Sequence, residues 1–222
     1  MPEGLFRDRS DAGRTLGRQL EHFRGRNDVV VLAIPRGGVP VGYEVATALG
    51  APLDVFIVRK LGVPDREELA MGAIASGGVV VLNDDVVCSL GIPPEVIERV
   101  ARRERAELER RDREYRQNSP PPDVTGKTIL LVDDGLATGS SMRVAILALR
   151  RRNPARIVVA VPAAPEPTCA EMADVADEVV CATMPAPFRA VGLSYLDFTQ
   201  ITDDEVRQLL RAAAAAPPGD GG

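Results

Sequence analysis

Residues 129 to 141, Ile-Leu-Leu-Val-Asp-Asp-Gly-Leu-Ala-Thr-Gly-Ser-Ser, constrain the fold more than any other stretch of the chain. Four apolar residues, short and β-branched in part, read as a strand buried on both faces. Asp133 and Asp134 follow at the carboxyl end of that strand, the end where open α/β sheets bind ligands. Small residues come next, and a helical pattern begins at about Met142. The loop from Ala137 to Ser141 offers backbone N–H groups, the hydroxyls of Thr138, Ser140 and Ser141, and a helix N-terminus. Together these suit an anion, phosphate best of all. Two carboxylates beside such a loop point to a ligand with a phosphate at one end and a diol or a metal ion at the other. A plain strand–turn–helix unit would explain the acids as turn formers, but not the crowding of small and hydroxyl residues.

The rest of the chain repeats the strand-then-helix pattern. A helix capped by Ser10-Asp11 runs to about Arg24, with Ala12, Leu16, Leu20 and Phe23 on one face. Val29–Ile34 is an apolar strand, and Pro35-Arg36-Gly37-Gly38 turns it into a helix over about Val39–Leu49. Leu53–Arg59 is the next strand. Residues 60–78 are polar and weakly periodic, a long loop with a short helix or hairpin, and Val79–Leu82 is a short strand. Pro93-Pro94 starts a charged helix over about Glu95–Gln117, with i, i+4 pairs Glu98–Arg102, Glu107–Arg111, Glu109–Arg113 and Asp112–Arg116. Its thin apolar stripe reads as a solvated helix packed lightly on the body. Strands over Arg156–Val161 and Glu178–Ala182 flank a helix at about Thr168–Ala176, and Asp203 to Ala216 forms a terminal helix. The expected fold is α/β, a mainly parallel doubly wound sheet with a small hood and a charged helical insertion. One domain would span 1–216, with the hood at about 183–202, the insertion at about 91–118, and a disordered tail at 217–222.

Composition narrows the function. The 222 residues carry a net charge of −5, so no overall field draws nucleic acid. No apolar run is long enough to span a bilayer, and Met1 to Arg9 lacks the apolar core of a signal peptide. Cys88, Cys169 and Cys181 have no metal-ligand spacing and read as reduced, mostly buried thiols. His22 is the one histidine, in an Arg-rich helical pattern, which argues against Ser–His or His–metal chemistry. The expectation is a soluble cytoplasmic protein without nucleic-acid or membrane partners. Gly126-Lys127-Thr128 mimics the end of a Walker A loop, but Pro121 stands where that motif needs glycine, and the residues open a strand rather than a helix.

Two further segments could carry chemistry. Pro35-Arg36-Gly37-Gly38 also joins a buried strand to a helix; glycine lets backbone approach an anion, and Arg36 adds charge. Arg59 and Lys60 sit at a strand's carboxyl end, where they could reach phosphates or equally form a snorkelling surface pair.

The stretch Ile129–Ser141 resembles the PRPP-binding signature of type I phosphoribosyltransferases: four apolar residues, two acids, two mostly apolar residues, then small-Thr-Gly-x-Ser/Thr. Gly135 departs, because the family usually places an apolar residue after the acids. The resemblance implies that Asp133 and Asp134 hold the ribose hydroxyls, directly or through Mg²⁺. It also implies that Gly135, Leu136, Ala137, Thr138, Gly139, Ser140 and Ser141 complete the PRPP site. Arg36 and Gly37 match the family's pyrophosphate loop, which often has unusual peptide geometry. The segment from Arg59-Lys60 to Pro64-Asp65-Arg66-Glu67 is similar to the closing loop of adenine phosphoribosyltransferases. It implies Arg59 and Lys60 on pyrophosphate, Lys60 as a catalytic residue, and Glu67 or Glu68 as an acid/base. Phe188 to Phe198 resembles the hood of hypoxanthine-guanine phosphoribosyltransferases. That likeness places Phe188 against the base and Asp197 near the metal, although the spacing between them is two residues longer here. Ala137 replaces the Asp of the 6-oxopurine enzymes, which favours the adenine branch.

The function expected from this resemblance is Mg²⁺-dependent transfer of the 5-phosphoribosyl group from PRPP to a nitrogenous, purine-like base, with release of pyrophosphate. Homodimerisation is implied by the family. The alternative is a regulatory PRPP- or nucleotide-binding protein of the same fold, with the charged helix as its partner surface.

Overall fold

A computed structural model describes residues 5–117 and 119–215, with the side chain of Glu68 left aside; the tail expected at 217–222 lies outside the described residues. Five parallel strands form the central sheet: β1 (Val29–Ala33), β2 (Leu53–Val55), β6 (Thr128–Val132), β7 (Arg156–Ala163) and β8 (Glu178–Thr183). Their order is β2-β1-β6-β7-β8. The apolar runs of β1 and β6 are buried along their whole length, as strands covered on both faces must be.

Alternate residues feed two cores. Val29, Val31, Leu130, Val132, Val158 and Ala160 pack with Leu16 and Leu20 of α1 (Arg9–Gln19) and its continuation, and with Val41, Val45 and Leu49 of α2 (Gly38–Leu49). Val30, Leu32, Ile129, Leu131, Ile157 and Val159 pack with Met142, Ile146 and Leu149 of α5 (Ser140–Arg150) and Met172 of α6 (Glu166–Ala173). Helices therefore cover both faces of a twisted parallel sheet, the α/β class expected. The helix α1 starts earlier than Ser10-Asp11 suggests. Asp8 is its cap, and its carboxylate accepts from Asp11 N at 2.8 Å, the geometry a capping oxygen needs three residues upstream of the N–H it serves.

Residues 53–78 differ in part from expectation, whereas the short strand expected at Val79–Leu82 is present. The apolar run breaks after β2, and the chain then forms a separate antiparallel sheet of β3 (Val58–Val63), β4 (Arg66–Ala75) and β5 (Val79–Leu82). The hairpin option for residues 60–78 is the one realised. Gly62 and Gly72 permit it, because a Cβ at Gly62 would lie 2.8 Å from Glu67 O, and one at Gly72 would be 3.0 Å from Leu82 Cα. A helix not foreseen, α3 (Asp84–Leu90), follows, capped by Asn83.

The charged helix α4 (Pro94–Arg116) is far better anchored than a thin stripe suggested. Ala101, Leu108 and Tyr115 enter a third core with Ile57, Leu61, Met71 and Ile74, and with Val206 and Leu210 of α7 (Asp203–Ala215). The Tyr115 hydroxyl donates to Asp203 Oδ1 at 2.5 Å. Arg116 is buried, donating to both oxygens of Asp54 and to Val55 O. Of the foreseen pairs, Glu107–Arg111 and Asp112–Arg116 form. The sequence underestimates this helix because its few apolar residues enter a core supplied by the hairpin sheet and α7. Cys88 is exposed rather than buried, whereas Cys169 and Cys181 are half-buried. Among the described residues, no helix is long and apolar enough to cross a membrane.

Leu108 is 2 % exposed. Leu108→Ala should therefore lower unfolding free energy by about 2–5 kcal/mol in urea titration, the cost of a core cavity. A change within about 0.5 kcal/mol, as on an ordinary surface, would mean α4 is only laid on the body.

Candidate functional site

The strand order reverses direction between β1 and β6: from β1 the chain next builds β2 on one side, and later β6 on the other. Such a switch point leaves a crevice at the strands' carboxyl ends. The ladder Val29–Ala33 against Thr128–Val132 is continued by Ile34 N, which donates to Val132 O at 2.8 Å. Both ends therefore stop level. Pro35-Arg36-Gly37 leaves β1 just where Asp133-Asp134 leaves β6, and the Pro35–Arg36 peptide is cis. At Gly37 a side chain would overlap the Asp134 carboxylate, and at Gly38 a Cβ would lie 2.9 Å from Asp133 Cα. Gly38 is thus required by close approach of two backbones, and Gly37 by the Asp134 carboxylate packed against it.

Asp133 and Asp134 share a poorly solvated place. Burial, then the neighbouring Asp134 charge, pushes the Asp133 carboxyl well above the usual range. Burial also raises Asp134, against the opposing pull of Arg9. Arg9 was not foreseen as a site residue. Its Nε donates to Asp134 Oδ2 at 2.8 Å, and its Nη1 to Thr199 O at 2.8 Å. Its guanidinium lies 3.9 Å from the Phe198 ring centroid, and Tyr195 donates its hydroxyl to Asp134 O at 2.5 Å. Nothing in Arg7-Asp8-Arg9-Ser10-Asp11 distinguishes Arg9 from its charged neighbours; only the fold turns it inward.

The loop after the acids has two halves. Gly135 and Leu136 belong to the scaffold. A Cβ on Gly135 would lie 2.5 Å from Val191 Cγ1, so a hood residue occupies the space a side chain there would need. Leu136 is buried in the core, and its N–H is committed to Ala163 O at 2.9 Å, so it has no donor for a ligand. Ala137 and Thr138 are exposed, and Ser140 and Ser141 begin α5 at the surface. Gly139 is the left-handed cap, φ 67°, a conformation glycine tolerates best. The first turn of a helix leaves N–H groups without intrahelical partners. Thr138 and Ser140 hydroxyls stand 3.0 Å apart beside them, and α6 braces the loop, Thr168 donating to Ala137 O at 2.8 Å.

The other candidates are spread from the β1 turn to the hairpin sheet and the hood. Arg36 is half-buried, and its charge is felt at the Tyr115 hydroxyl. Arg59 on β3 is engaged by Glu104 of α4, its Nε donating at 2.8 Å. Arg59, Lys60 and Glu67 line a cavity of about 680 Å³ between the β3–β4 hairpin and α4, with Arg99 and Arg103 on the facing wall. Phe188 is half-buried and follows a cis Ala186–Pro187 peptide. Asp197 is exposed and accepts from Thr199 N and Oγ1 at 2.9 and 2.5 Å. Among the described residues, no three His, Cys, Asp or Glu side chains are grouped to hold a metal, so Asp197 does not join Asp133 and Asp134 in one cluster.

The fold is that of an α/β protein with a crevice at the switch point of its parallel sheet. The family model of the phosphoribosyl transferase domain matches residues 9–197, and the chain belongs to that family. Curated proteins from two strains of Mycobacterium tuberculosis, provisionally named phosphoribosyl transferases, are 48% identical over 209 residues, covering 94% of this chain and 47% of theirs. The chain thus spans about half the length of these curated relatives. The crystal structure of TT1426 from Thermus thermophilus superposes with a TM-score of 0.82 at 42% identity, covering 93% of this chain and 97% of that one.

Thr168→Val should cost about 1 kcal/mol and quicken hydrogen exchange at residues 137–140, with the amides of β6 unchanged. Unaltered exchange in the loop would show that α6 does not brace it.

Proposed function

We propose that the chain is a phosphoribosyltransferase moving the 5-phosphoribosyl group of PRPP to a nitrogenous, purine-like base with release of pyrophosphate. One observation carries this reading: two adjacent carboxylates and a small-residue helix N-terminus meet at the switch point, against the glycine turn that leaves β1. The carboxylates suit a sugar diol. The N–H and hydroxyl groups from Ala137 to Ser141 suit its 5′-phosphate. Leu136 serves as the anchor that aims this loop rather than as a ligand. Gly37 admits a phosphate close to backbone, and Arg36 supplies charge beside it. A cation-like sugar forming between these groups would be stabilised by the acid pair.

Magnesium fits this arrangement in a limited sense. Mg²⁺ is commonly held by one or two carboxylates together with substrate phosphates, and Asp133 with Asp134 supply that much; Asp197, turned toward Thr199, does not. The ion would neutralise charge on the departing pyrophosphate. Lys60 is assigned to the same departure, Glu67 to proton handling and Phe188 to stacking on the base. A cytoplasmic homodimer belongs to the same reading.

A regulatory PRPP- or nucleotide-binding protein is the second reading. It draws on the placement of Arg59, which Glu104 already holds, and of Lys60 and Glu67 in a cavity whose walls include neither Asp133 nor Asp134.

Calorimetric titration with PRPP and Mg²⁺, then pyrophosphate release against a panel of bases, tests both. Binding with release on one base supports the transferase; binding without release on any supports the regulator; no binding removes both. Asp134→Asn should abolish PRPP binding while circular dichroism stays unchanged; retained affinity would sink the site. Lys60→Ala should lower kcat by about tenfold or more with little change in PRPP affinity, and an equal loss in both would restrict Lys60 to binding.

A further inference from the structure

The side chain of Arg9 is 9% exposed, although it stands in the first turn of a surface helix amid charged neighbours. Among the described residues, its side-chain hydrogen bonds lead to Asp134 and to the hood. One nitrogen reaches Asp134 Oδ2 and another reaches the carbonyl of Thr199, each at 2.8 Å. Its flat face covers Phe198, and Phe198 in turn stacks on Tyr195 with centroids 5.0 Å apart. Tyr195 closes the circle by donating to the Asp134 backbone oxygen. The backbone follows the same route. Phe6 N donates to Ser194 O at 2.9 Å, and Leu196 N and Asp197 N donate to Phe6 O and Arg7 O at 2.8 Å each.

We propose that Arg9 is a positioning residue for the acid pair, and that it couples the hood segment 195–199 to Asp134. This rests on the phosphoribosyl-binding reading of the site. A planar guanidinium is the one side chain that can hold a carboxylate, a carbonyl and an aromatic face together in a fixed fork. With Oδ2 held by Arg9 and the backbone oxygen held by Tyr195, the carboxylate and the main chain of Asp134 are both tied to the hood. The same contacts mean that segment 195–199 cannot lift without releasing Asp134. Occupancy of the sugar site and order in the hood therefore share one equilibrium. A lysine at position 9 would keep the charge and lose the fork.

The test compares wild type, Arg9→Gln, Arg9→Lys, Asp134→Asn and the double variant R9Q/D134N, with thermal melts to establish that each is folded. In the ligand-free proteins, hydrogen exchange at residues 195–199 should quicken at least tenfold in Arg9→Gln and in Asp134→Asn, and no further in the double variant. In calorimetry with PRPP and Mg²⁺, Arg9→Gln should bind at least about tenfold more weakly, as expected for loss of a charged hydrogen bond, and Arg9→Lys should recover part of the loss. Unchanged exchange in Arg9→Gln, additive exchange in the double variant, or unchanged PRPP affinity would each overturn the proposal. If wild type fails to bind PRPP, the transferase reading falls, while the exchange experiment still decides whether Arg9 couples the hood to Asp134.

Discussion

The parallel pairing of β1 with β6 governs the rest of the structure. Its register sets Ala33 opposite Val132, and Ile34 N donates to Val132 O just beyond, so both strands end at one level and both successor loops emerge into one crevice. Everything with chemical character at the sheet edge depends on that alignment: the acids, the glycine turn and the phosphate-type loop. A shift of the pairing would part Gly37 from Asp134 and exchange the two cores, because alternate residues of each strand face opposite helical layers. The crevice is polar, yet its position is fixed by apolar packing beneath it.

Much of this was legible in the residues. Ile129–Val132 is apolar throughout because it is covered on both faces, and acids at its end can only lie at the carboxyl edge. The Gly37-Gly38 pair was legible as a tight strand–helix turn, and the structure adds the reason it must be glycine. What was not legible depends on distant residues meeting. Arg9 reads as one of several surface arginines. The hairpin sheet over residues 58–82 was obscured by weak periodicity in β3 and β4, whose glycines are placed by close approach of neighbouring strands and not by local preference. The burial of α4 was missed because a thin apolar stripe carries no weight until the core that receives it is known.

The antiparallel sheet and α4 form a second polar surface apart from the crevice. Arg59 spans from β3 to Glu104, and the facing arginines of α4 enclose a charged cavity beside Lys60 and Glu67. The side chains most easily assigned to catalysis from the sequence thus belong to a unit held by its own helix. Its placement rests on how α4 is packed, through the buried Tyr115, Leu108 and Arg116.

Gly135 and Val191 share a single volume: the missing side chain of one is filled by the isopropyl group of the other. Size at residue 135 and the seating of the hood are therefore one variable. Among chains with this architecture, the two positions should vary together, a larger residue after the acids accompanying a smaller one in the hood. The departure of Gly135 from the family pattern is then a record of how closely this hood sits on its sheet.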